Sequence, residues 1–203
     1  ACERVAQSDP VVISGTLAFG APADTYAAIV RSARQRGRRV FLDCDREPFE
    51  RAAREQPFLV KPNEYELGQW VGRRLTTERE VIRAAQSLAA VTRGWVLVSR
   101  GAEGALLVGS DSPTIWKATV PRTTVRNTVG AGDALLAGVV AGVQAGLAPQ
   151  DWLRQGVATG TAATQVPPGQ LPARSTWRRW MGRVDVAPVP GSRLKSVAKV
   201  HKA

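Results

Sequence analysis

Short apolar runs alternate with segments of helical periodicity along most of this chain. The runs that predict buried strands are VVISG (residues 11–15), RVFLD (39–43), PFLVK (57–61), GWVLVSRG (94–101), GALLVGS (104–110) and TIWKATVP (114–121). Helical periodicity is found in residues 22–36, 48–56, 63–72, 77–91, 131–145, 151–165 and 175–182. Strands that alternate with helices are typical of βαβ units, so the pattern predicts an α/β protein with a mostly parallel sheet.

The predicted strands also locate the candidate sites, because ligands bind at the carboxyl ends of the strands in such sheets. The segments that follow a predicted strand are residues 15–20, Asp43, and residues 61–66, 99–104 and 127–133.

Composition narrows the class of protein only modestly. At 203 residues with 44% hydrophobic and 22% charged residues, the chain has the balance of an ordinary globular domain. No apolar run approaches the roughly 20 residues of a membrane span. Residues 1–10 lack the pattern of a signal peptide, so we expect a cytoplasmic protein with no membrane partner.

The scarcity of histidine and cysteine excludes several kinds of catalysis. His201 is the only histidine, and Cys2 and Cys44 are the only cysteines, for which we expect free thiols. A structural zinc site therefore lacks clustered ligands, and a Ser-His-Asp triad would need a residue from the C-terminal tail. Any catalysis must rest on carboxylates, backbone amides, lysines, arginines or a hard metal ion.

The positive charge is concentrated near the C-terminus. Residues 174–203 carry eight Lys or Arg and one acid, a net +7 of the chain's +11. We therefore expect a folded domain at residues 1–183 and a flexible basic tail at 184–203. Nucleic-acid binding by this tail is an alternative function, in which binding would be salt-sensitive and would be lost on removal of 184–203. No aromatic residue follows Trp180, and a solvated tail is favoured.

The stretch VRNTVGAGDALLAGVVAGV (residues 125–143) places a glycine-rich turn and Asp133 at the start of a helix. Glycines leave backbone N–H groups uncovered, and the helix N-terminus adds partial positive charge, which together favour an anion. A carboxylate in the first turn could accept a proton from a hydroxyl that attacks phosphorus. The same residues also fit an ordinary helix start. Neither a Walker A loop nor a Rossmann fingerprint is present.

The string NTVGAGD (residues 127–133) resembles the signature of the ribokinase-like sugar kinases, in their phosphofructokinase B branch. Asn127, the first residue of this string, resembles the residue at that position in the members that phosphorylate sugar phosphates. The resemblance implies that Asp133 is the catalytic base. It also implies an anion hole formed by Gly130, Ala131 and Gly132.

The segment LVKPNEYEL (residues 59–67) resembles the KPN..EL segment of the same family. The resemblance implies that Asn63 and Glu66 organise Mg²⁺ and nucleotide phosphates, partly through water, and that Lys61 lies on the substrate side. From the residues alone, Asn63 and Glu66 have the spacing of a helix capping box.

Two further segments resemble family loops. VLVSRGAEGALLV (residues 96–108) is similar to the nucleotide loop, although Arg100 stands where many relatives carry an apolar residue. From the residues alone, this segment also fits a hairpin with glycines at its turn. SGTLAFGAPADTY (14–26) is similar to the substrate-side GSLPPG loop, with Ala18 and Phe19 in place of prolines. The implied nucleotide-binding residues are Ser99, Arg100, Gly101, Ala102, Glu103, Gly104, Gly132 and Asp133, and the implied substrate-side residues are Gly15, Thr16, Lys61 and Asp133.

The resemblance covers about residues 9–181 and implies a three-layer αβα ribokinase-like fold. It implies the C-terminal, nucleotide-binding part of such a kinase, without the N-terminal section and the β lid. We expect ATP and Mg²⁺ to be used, and fructose 1-phosphate to be converted to fructose 1,6-bisphosphate. Tagatose 6-phosphate, fructose 6-phosphate and a non-catalytic nucleotide-binding role remain alternatives. We expect little activity from the isolated chain, and a homodimer only where the lid is present.

Overall fold

Seven strands form one sheet in the computed structural model, which describes residues 10–190. The strands lie side by side in the order in which they occur along the chain. They are β1 (Val11–Ser14), β2 (Val40–Asp43), β3 (Leu59–Val60), β4 (Trp95–Ser99), β5 (Ala105–Gly109), β6 (Trp116–Thr119) and β7 (Asp185–Pro188).

The sheet is parallel in one half and antiparallel in the other. Strands β1 to β4 pair in parallel, as the alternation with helices predicts. Strands β4 to β7 pair antiparallel. The change of direction occurs at β4 because the short 3₁₀ turn Gly101–Glu103 returns the chain directly alongside it. The expectation of a mostly parallel sheet therefore applies to β1–β4 only.

Helices cover both faces of the sheet, which confirms the three-layer αβα architecture. They are α1 (Thr25–Gln35), α2 (Arg46–Ala53), α3 (Glu64–Trp70), α4 (Glu78–Thr92), α5 (Ala131–Gln144), α6 (Pro149–Ala163) and α7 (Arg174–Met181). Helices α1 to α4 pack on the face that carries Val40 and Leu42. Helices α5 to α7 pack on the opposite face, against Phe41 and Leu97. Alternate residues of each buried strand thus pack into different hydrophobic cores, one on each face of the sheet.

The boundary placed between residues 183 and 184 is wrong in the structure, because the sheet continues beyond it. Strand β7 pairs with β6, with Val186 opposite Ala118. Val184 is buried, and Val186 packs against the core formed with α5 to α7. A four-residue edge strand that ends in proline is too short to show a clear alternation. The rest of the predicted tail, from residue 191, lies outside the described residues, as do Cys2 and His201.

The small residues of α5 allow it to lie very close to α6. A Cβ atom added at Gly138 would lie 2.7 Å from the carbonyl oxygen of Gln155, and one at Gly156 would lie 2.6 Å from Val139 Cγ2. Side chains at either position would force the two helices apart. Gly138 and Gly142 are therefore explained by the packing of α5 on α6, and it is the turn before Asp133 that concerns the site.

One part of the sheet is less well covered. Strand β1 lies at the edge of the described sheet, and Val12 is 48% exposed although Val11 and Ile13 are buried. No helix in the described part of the chain is long and apolar enough to cross a membrane.

Candidate active site

The N-terminus of α5 is held open by its preceding loop. Gly130 is the N-cap residue and adopts a left-handed conformation, with φ of 78°, and no side chain caps the helix. Asn127 closes the loop on itself, since its Oδ1 accepts from the amide of Val129 at 3.0 Å. The amides of Arg126 and Asn127 both donate to the carbonyl of Thr164 at the end of α6. The loop is thus anchored on α6, while the N-terminus of α5 at residues 130–133, which we call the mouth of α5, has no side-chain cap.

Three amides at this mouth have no hydrogen-bond acceptor among residues 10–190. They belong to Gly130, Gly132 and Asp133, and they are the kind of donor that binds an anion at a helix start. Ala131 differs from the expected set, because its amide donates to the carbonyl of Thr128 at 3.2 Å. That bond closes the turn that leads into the helix. Of the three residues expected to form an anion hole, Gly130 and Gly132 thus have amides without an acceptor among residues 10–190, and Ala131 does not.

Asp133 is oriented by a residue from the opposite end of the chain. Ser14 Oγ donates to Asp133 Oδ1 at 2.6 Å across a sequence separation of 119 residues. Ser14 is the last residue of β1, so the carboxyl end of the edge strand meets the mouth of α5. Both side chains are exposed. Ser14 is not among the predicted site residues, although it lies in a predicted strand and directly precedes Gly15.

A buried ion pair lies beside the same mouth. Lys61 Nζ is 2.9 Å from Asp43 Oδ2, and Lys61 as a whole is only 6% exposed. A Cβ atom at Gly132 would lie 3.4 Å from Lys61 Nζ, so the ammonium group contacts the first turn of α5. Burial raises the pKa of Asp43, Lys61 opposes this change, and the nearby charge of Asp133 adds to it. The sequence indicates Asp43 as a candidate site residue only because it follows a predicted strand. The pairing of Asp43 with Lys61 was not predicted.

The neighbouring thiol takes no part in this charge network. Cys44 is a free, buried cysteine, as expected for that position. Burial, with the nearby carboxylates Asp43 and Asp45, raises the pKa of the Cys44 thiol to about 12. It is therefore neutral at physiological pH and unsuited to act as a nucleophile.

Asn63 and Glu66 form a complete capping box at the start of α3. Asn63 Oδ1 accepts from the amide of Glu66 at 2.9 Å, and Glu66 Oε2 accepts from the amide of Asn63 at 2.8 Å. Asn63 also pairs with Ser99 in a parallel bridge at the ends of β3 and β4. Burial raises the pKa of Glu66, while the Asn63 amide and Lys61 oppose that change. The structural interpretation of the Asn63–Glu66 spacing is thus confirmed.

The side chains of Asn63 and Glu66 could bind Mg²⁺ only through water molecules. Among residues 10–190, no group of three or more His, Cys, Asp or Glu side chains could hold a metal ion. Magnesium keeps several waters and is often bound by one or two carboxylates together with substrate phosphates, so a full cage is unnecessary. Glu66 Oε1 has no hydrogen-bond donor among the described residues and is available to accept from a metal-bound water.

The predicted nucleotide loop follows β4 and turns tightly over β6. Gly104 has φ of 86°, and a Cβ atom there would lie 1.9 Å from the carbonyl oxygen of Ala118, so only glycine fits. Gly101, Ala102 and Glu103 are exposed, and Ser99 is half-buried next to Asn63. Arg100 behaves differently, because its side chain turns inward and is 4% exposed.

A cavity that the sequence reasoning missed adjoins the loop before α5. It has a volume of about 430 Å³ and is lined by Thr124, Arg126, Gln165, Val166, Thr176 and Arg179. Its walls come from the loop before α5, the end of α6 and the start of α7. No local sequence pattern marks these residues, since they converge only in the folded chain.

The predicted substrate-side loop begins at the same edge of the sheet. The amide of Gly15 donates to the carbonyl of Asp43 at 2.9 Å, and Gly15 adopts φ of 97°. Thr16 is exposed, and Phe19 is fully exposed. Gly15 and Thr16 are therefore near Ser14 and Asp133, while Phe19 has no packing within the described part of the chain.

The fold and the site define an α/β protein in which an uncapped helix N-terminus lies beside a carboxylate and a buried lysine. The chain belongs to the pfkB family of carbohydrate kinases, whose family model matches residues 1–176. It is therefore a member of the phosphofructokinase B branch of the ribokinase-like sugar kinases, as the four segments predicted.

Individual relatives agree with this assignment. The chain is 34% identical over 160 residues to 1-phosphofructokinase of Bacillus subtilis, which covers 79% of this chain and 52% of that protein. It is 42% identical over 146 residues to 1-phosphofructokinase of Rhodobacter capsulatus, covering 71% and 46%. Phosphofructokinase-2 from Escherichia coli, solved with substrates and products, superimposes with a TM-score of 0.82 at 29% identity, covering 89% and 60%. The chain spans about half the length of the curated relatives it matches.

Proposed function

We propose that the protein containing this chain transfers a phosphoryl group from ATP to a sugar phosphate, with fructose 1-phosphate as acceptor and fructose 1,6-bisphosphate as product. Relatives named 1-phosphofructokinase support the choice of acceptor. The observation that carries the proposal is the open mouth of α5. Amides without an acceptor among residues 10–190, the carboxylate of Asp133 and the neighbouring ammonium group of Lys61 all lie at the first turn of this helix.

In this proposal Asp133 is the general base. The hydrogen bond from Ser14 occupies Oδ1 and fixes the carboxylate, which leaves Oδ2 to accept the proton of the sugar hydroxyl. The amides of Gly130, Gly132 and Asp133 hold the transferring phosphoryl group, and Lys61 Nζ adds positive charge on the same side. Catalysis is then positioning combined with electrostatic stabilisation, which needs no histidine.

Nucleotide binding is assigned to the residues around this mouth. The turn from Ser99 to Gly104 lies beside Asn63, and the cavity lined by Thr124, Arg126 and Gln165 offers space for the rest of the nucleotide. When bound, Mg²⁺ would neutralise charge on the phosphate oxygens. Asn63 and Glu66 would hold its water shell, with Glu66 Oε1 as the acceptor.

The test is turnover of the protein expressed from its complete reading frame, measured by ADP release with three acceptors: fructose 1-phosphate, fructose 6-phosphate and tagatose 6-phosphate. We expect Asp133→Asn to lower kcat by about 10²–10⁴-fold while the affinity for ATP stays similar. Asp151→Asn is the matched control, since Asp151 also occupies the first turn of a helix but lies in α6.

The outcomes separate the alternatives. Unchanged turnover in Asp133→Asn would refute the role of Asp133, and a preference for another acceptor would reassign the substrate. ATP binding without turnover of any acceptor would favour a non-catalytic nucleotide-binding protein. We expect the 203-residue chain alone to show little turnover, because relatives are about twice as long. Ordinary turnover by that chain would contradict this expectation.

A further inference from the structure

The side chain of Arg100 is bound by three carboxylates at once. Its Nε lies 2.6 Å from Glu64, its Nη1 2.5 Å from Glu78 and its Nη2 2.5 Å from Glu103. Lys117 Nζ joins the group at 2.6 Å from Glu78. All three guanidinium nitrogens are therefore engaged within the protein, although the position of Arg100 in the nucleotide loop predicts a ligand contact.

The three carboxylates belong to different parts of the site. Glu64 is the first residue of α3 and directly follows Asn63, while Glu78 is the first residue of α4. Glu103 lies in the 3₁₀ turn of the nucleotide loop. One buried cation therefore connects the loop to the mouth of α3, which carries Asn63 and Glu66.

We propose that Arg100 is a positioning residue that holds the mouth of α3 against the nucleotide loop, and that it does not contact the nucleotide itself. The effect on nucleotide binding rests on the proposed function. The packing of the start of α3 against the nucleotide loop does not rest on that function, and it can be measured without any ligand.

The burial of Arg100 distinguishes this cluster from an ordinary surface ion pair. The buried charge of Arg100 depends on these partners, whereas the side chains of Glu64, Glu78 and Glu103 are 38%, 35% and 66% exposed. Without Arg100, the three partly solvated carboxylates would have Lys117 as their remaining cationic partner among residues 10–190. Repulsion between Glu64, Glu78 and Glu103 would then push α3, α4 and the loop apart, and would add negative charge near the phosphates.

The first experiment is amide hydrogen exchange of the 203-residue chain without ligand. Arg100→Met keeps the bulk of the side chain but removes its charge. We expect faster exchange in two segments together, residues 61–68 and 99–105, with Arg100→Lys between Arg100→Met and wild type. Arg73→Met is the matched control, because Arg73 pairs with Glu80 in the first turn of α4, at 2.6 Å, without contacting the loop. Unchanged exchange in both segments would overturn the proposal.

The second experiment measures the affinity for ADP by calorimetry, with Mg²⁺ and with EDTA. We expect Arg100→Met to weaken binding by about tenfold with Mg²⁺ and less with EDTA, because the displaced groups are those assigned to the metal. Arg73→Met should leave both affinities unchanged. An equal loss in the two variants would overturn the positioning role.

Failure of the proposed function and failure of the positioning role of Arg100 give different results. If the wild-type chain binds no ADP, the proposed function fails, but hydrogen exchange still decides the role of Arg100. If Arg100→Met does not fold, as judged by circular dichroism, Arg100→Lys replaces it in both comparisons, because lysine keeps the charge but cannot reach three carboxylates in one plane.

Discussion

The N-termini of α3 and α5 solve the same physical problem in opposite ways. Each helix begins with backbone amides that lack an intrahelical acceptor. At α3, the side chains of Asn63 and Glu66 form a reciprocal pair of hydrogen bonds with the amides of Glu66 and Asn63. At α5, Gly130 provides no side chain, and the amides of Gly132 and Asp133 have no acceptor among residues 10–190. Of these two helix starts, that of α5 is therefore the one without a side-chain cap.

Two helix starts that look alike in sequence thus differ in the folded chain. Both have a polar or glycine residue at the N-cap and an acid in the first turn, and both fit an ordinary helix start. The acid of α3 turns back onto its own N-cap amide, whereas Asp133 is held away by Ser14. The direction of the first-turn carboxylate thus separates a structural cap from a candidate catalytic residue.

A charge placed at the open start of α5 should have the strongest effect on nucleotide affinity. Gly132→Asp would place a carboxylate within reach of Lys61, in the space assigned to the phosphate. We expect the affinity for ATP to fall by about a hundredfold or more, since like charges at close range cost several kcal/mol. The melting temperature should stay equal or rise, because an acid in the first turn is favourable.

Gly132→Ala is the control, because it adds only a methyl group 3.4 Å from Lys61 Nζ. We expect a change in affinity of a few-fold at most, measured by the same calorimetric titration. If Gly132→Asp binds ATP as wild type does, the mouth of α5 is not the phosphate site.

A smaller effect is expected at the closed mouth. Asn63→Ala removes the side-chain acceptor of the capping box and should lower the free energy of unfolding by about 1 kcal/mol. Urea denaturation measures this change. Asn63→Asp keeps an acceptor at the same position and should recover most of the stability. If alanine costs nothing, the box does not stabilise α3, and the contrast between the two mouths is lost.

Local patterns were sufficient for most of the fold. Helix α4 was predicted at residues 77–91 and occurs at Glu78–Thr92, since a capping threonine and a clear apolar face define it. Strand β7 was missed because its four residues show no clear alternation and acquire their conformation by pairing with β6. The switch to antiparallel pairing after β4 is likewise a consequence of one short turn.

The site was predictable only where its residues are neighbours in sequence. The mouth of α5 was recognised because glycines and Asp133 are adjacent in the chain. The Ser14–Asp133 hydrogen bond and the Lys61–Asp43 ion pair join distant segments, and no local pattern reports them. The position of Arg100 within the predicted nucleotide loop likewise did not reveal that its side chain turns inward.

The smallest expected effect concerns the pH dependence of the closed mouth. Burial raises the pKa of Glu66 above its ordinary value of 4.5. The folded state therefore holds this proton to a higher pH than the unfolded state does. The stability that this higher pKa contributes is fully present below pH 4.5 and is lost as pH rises through the folded pKa.

Glu66→Gln keeps an acceptor for the capping box but removes the titration. Urea unfolding from about pH 4 to about pH 7 should show wild type losing stability relative to Glu66→Gln as pH rises. A constant difference would mean that Glu66 is solvated like an ordinary surface carboxylate, and that the mouth of α3 is less closed than its hydrogen bonds indicate.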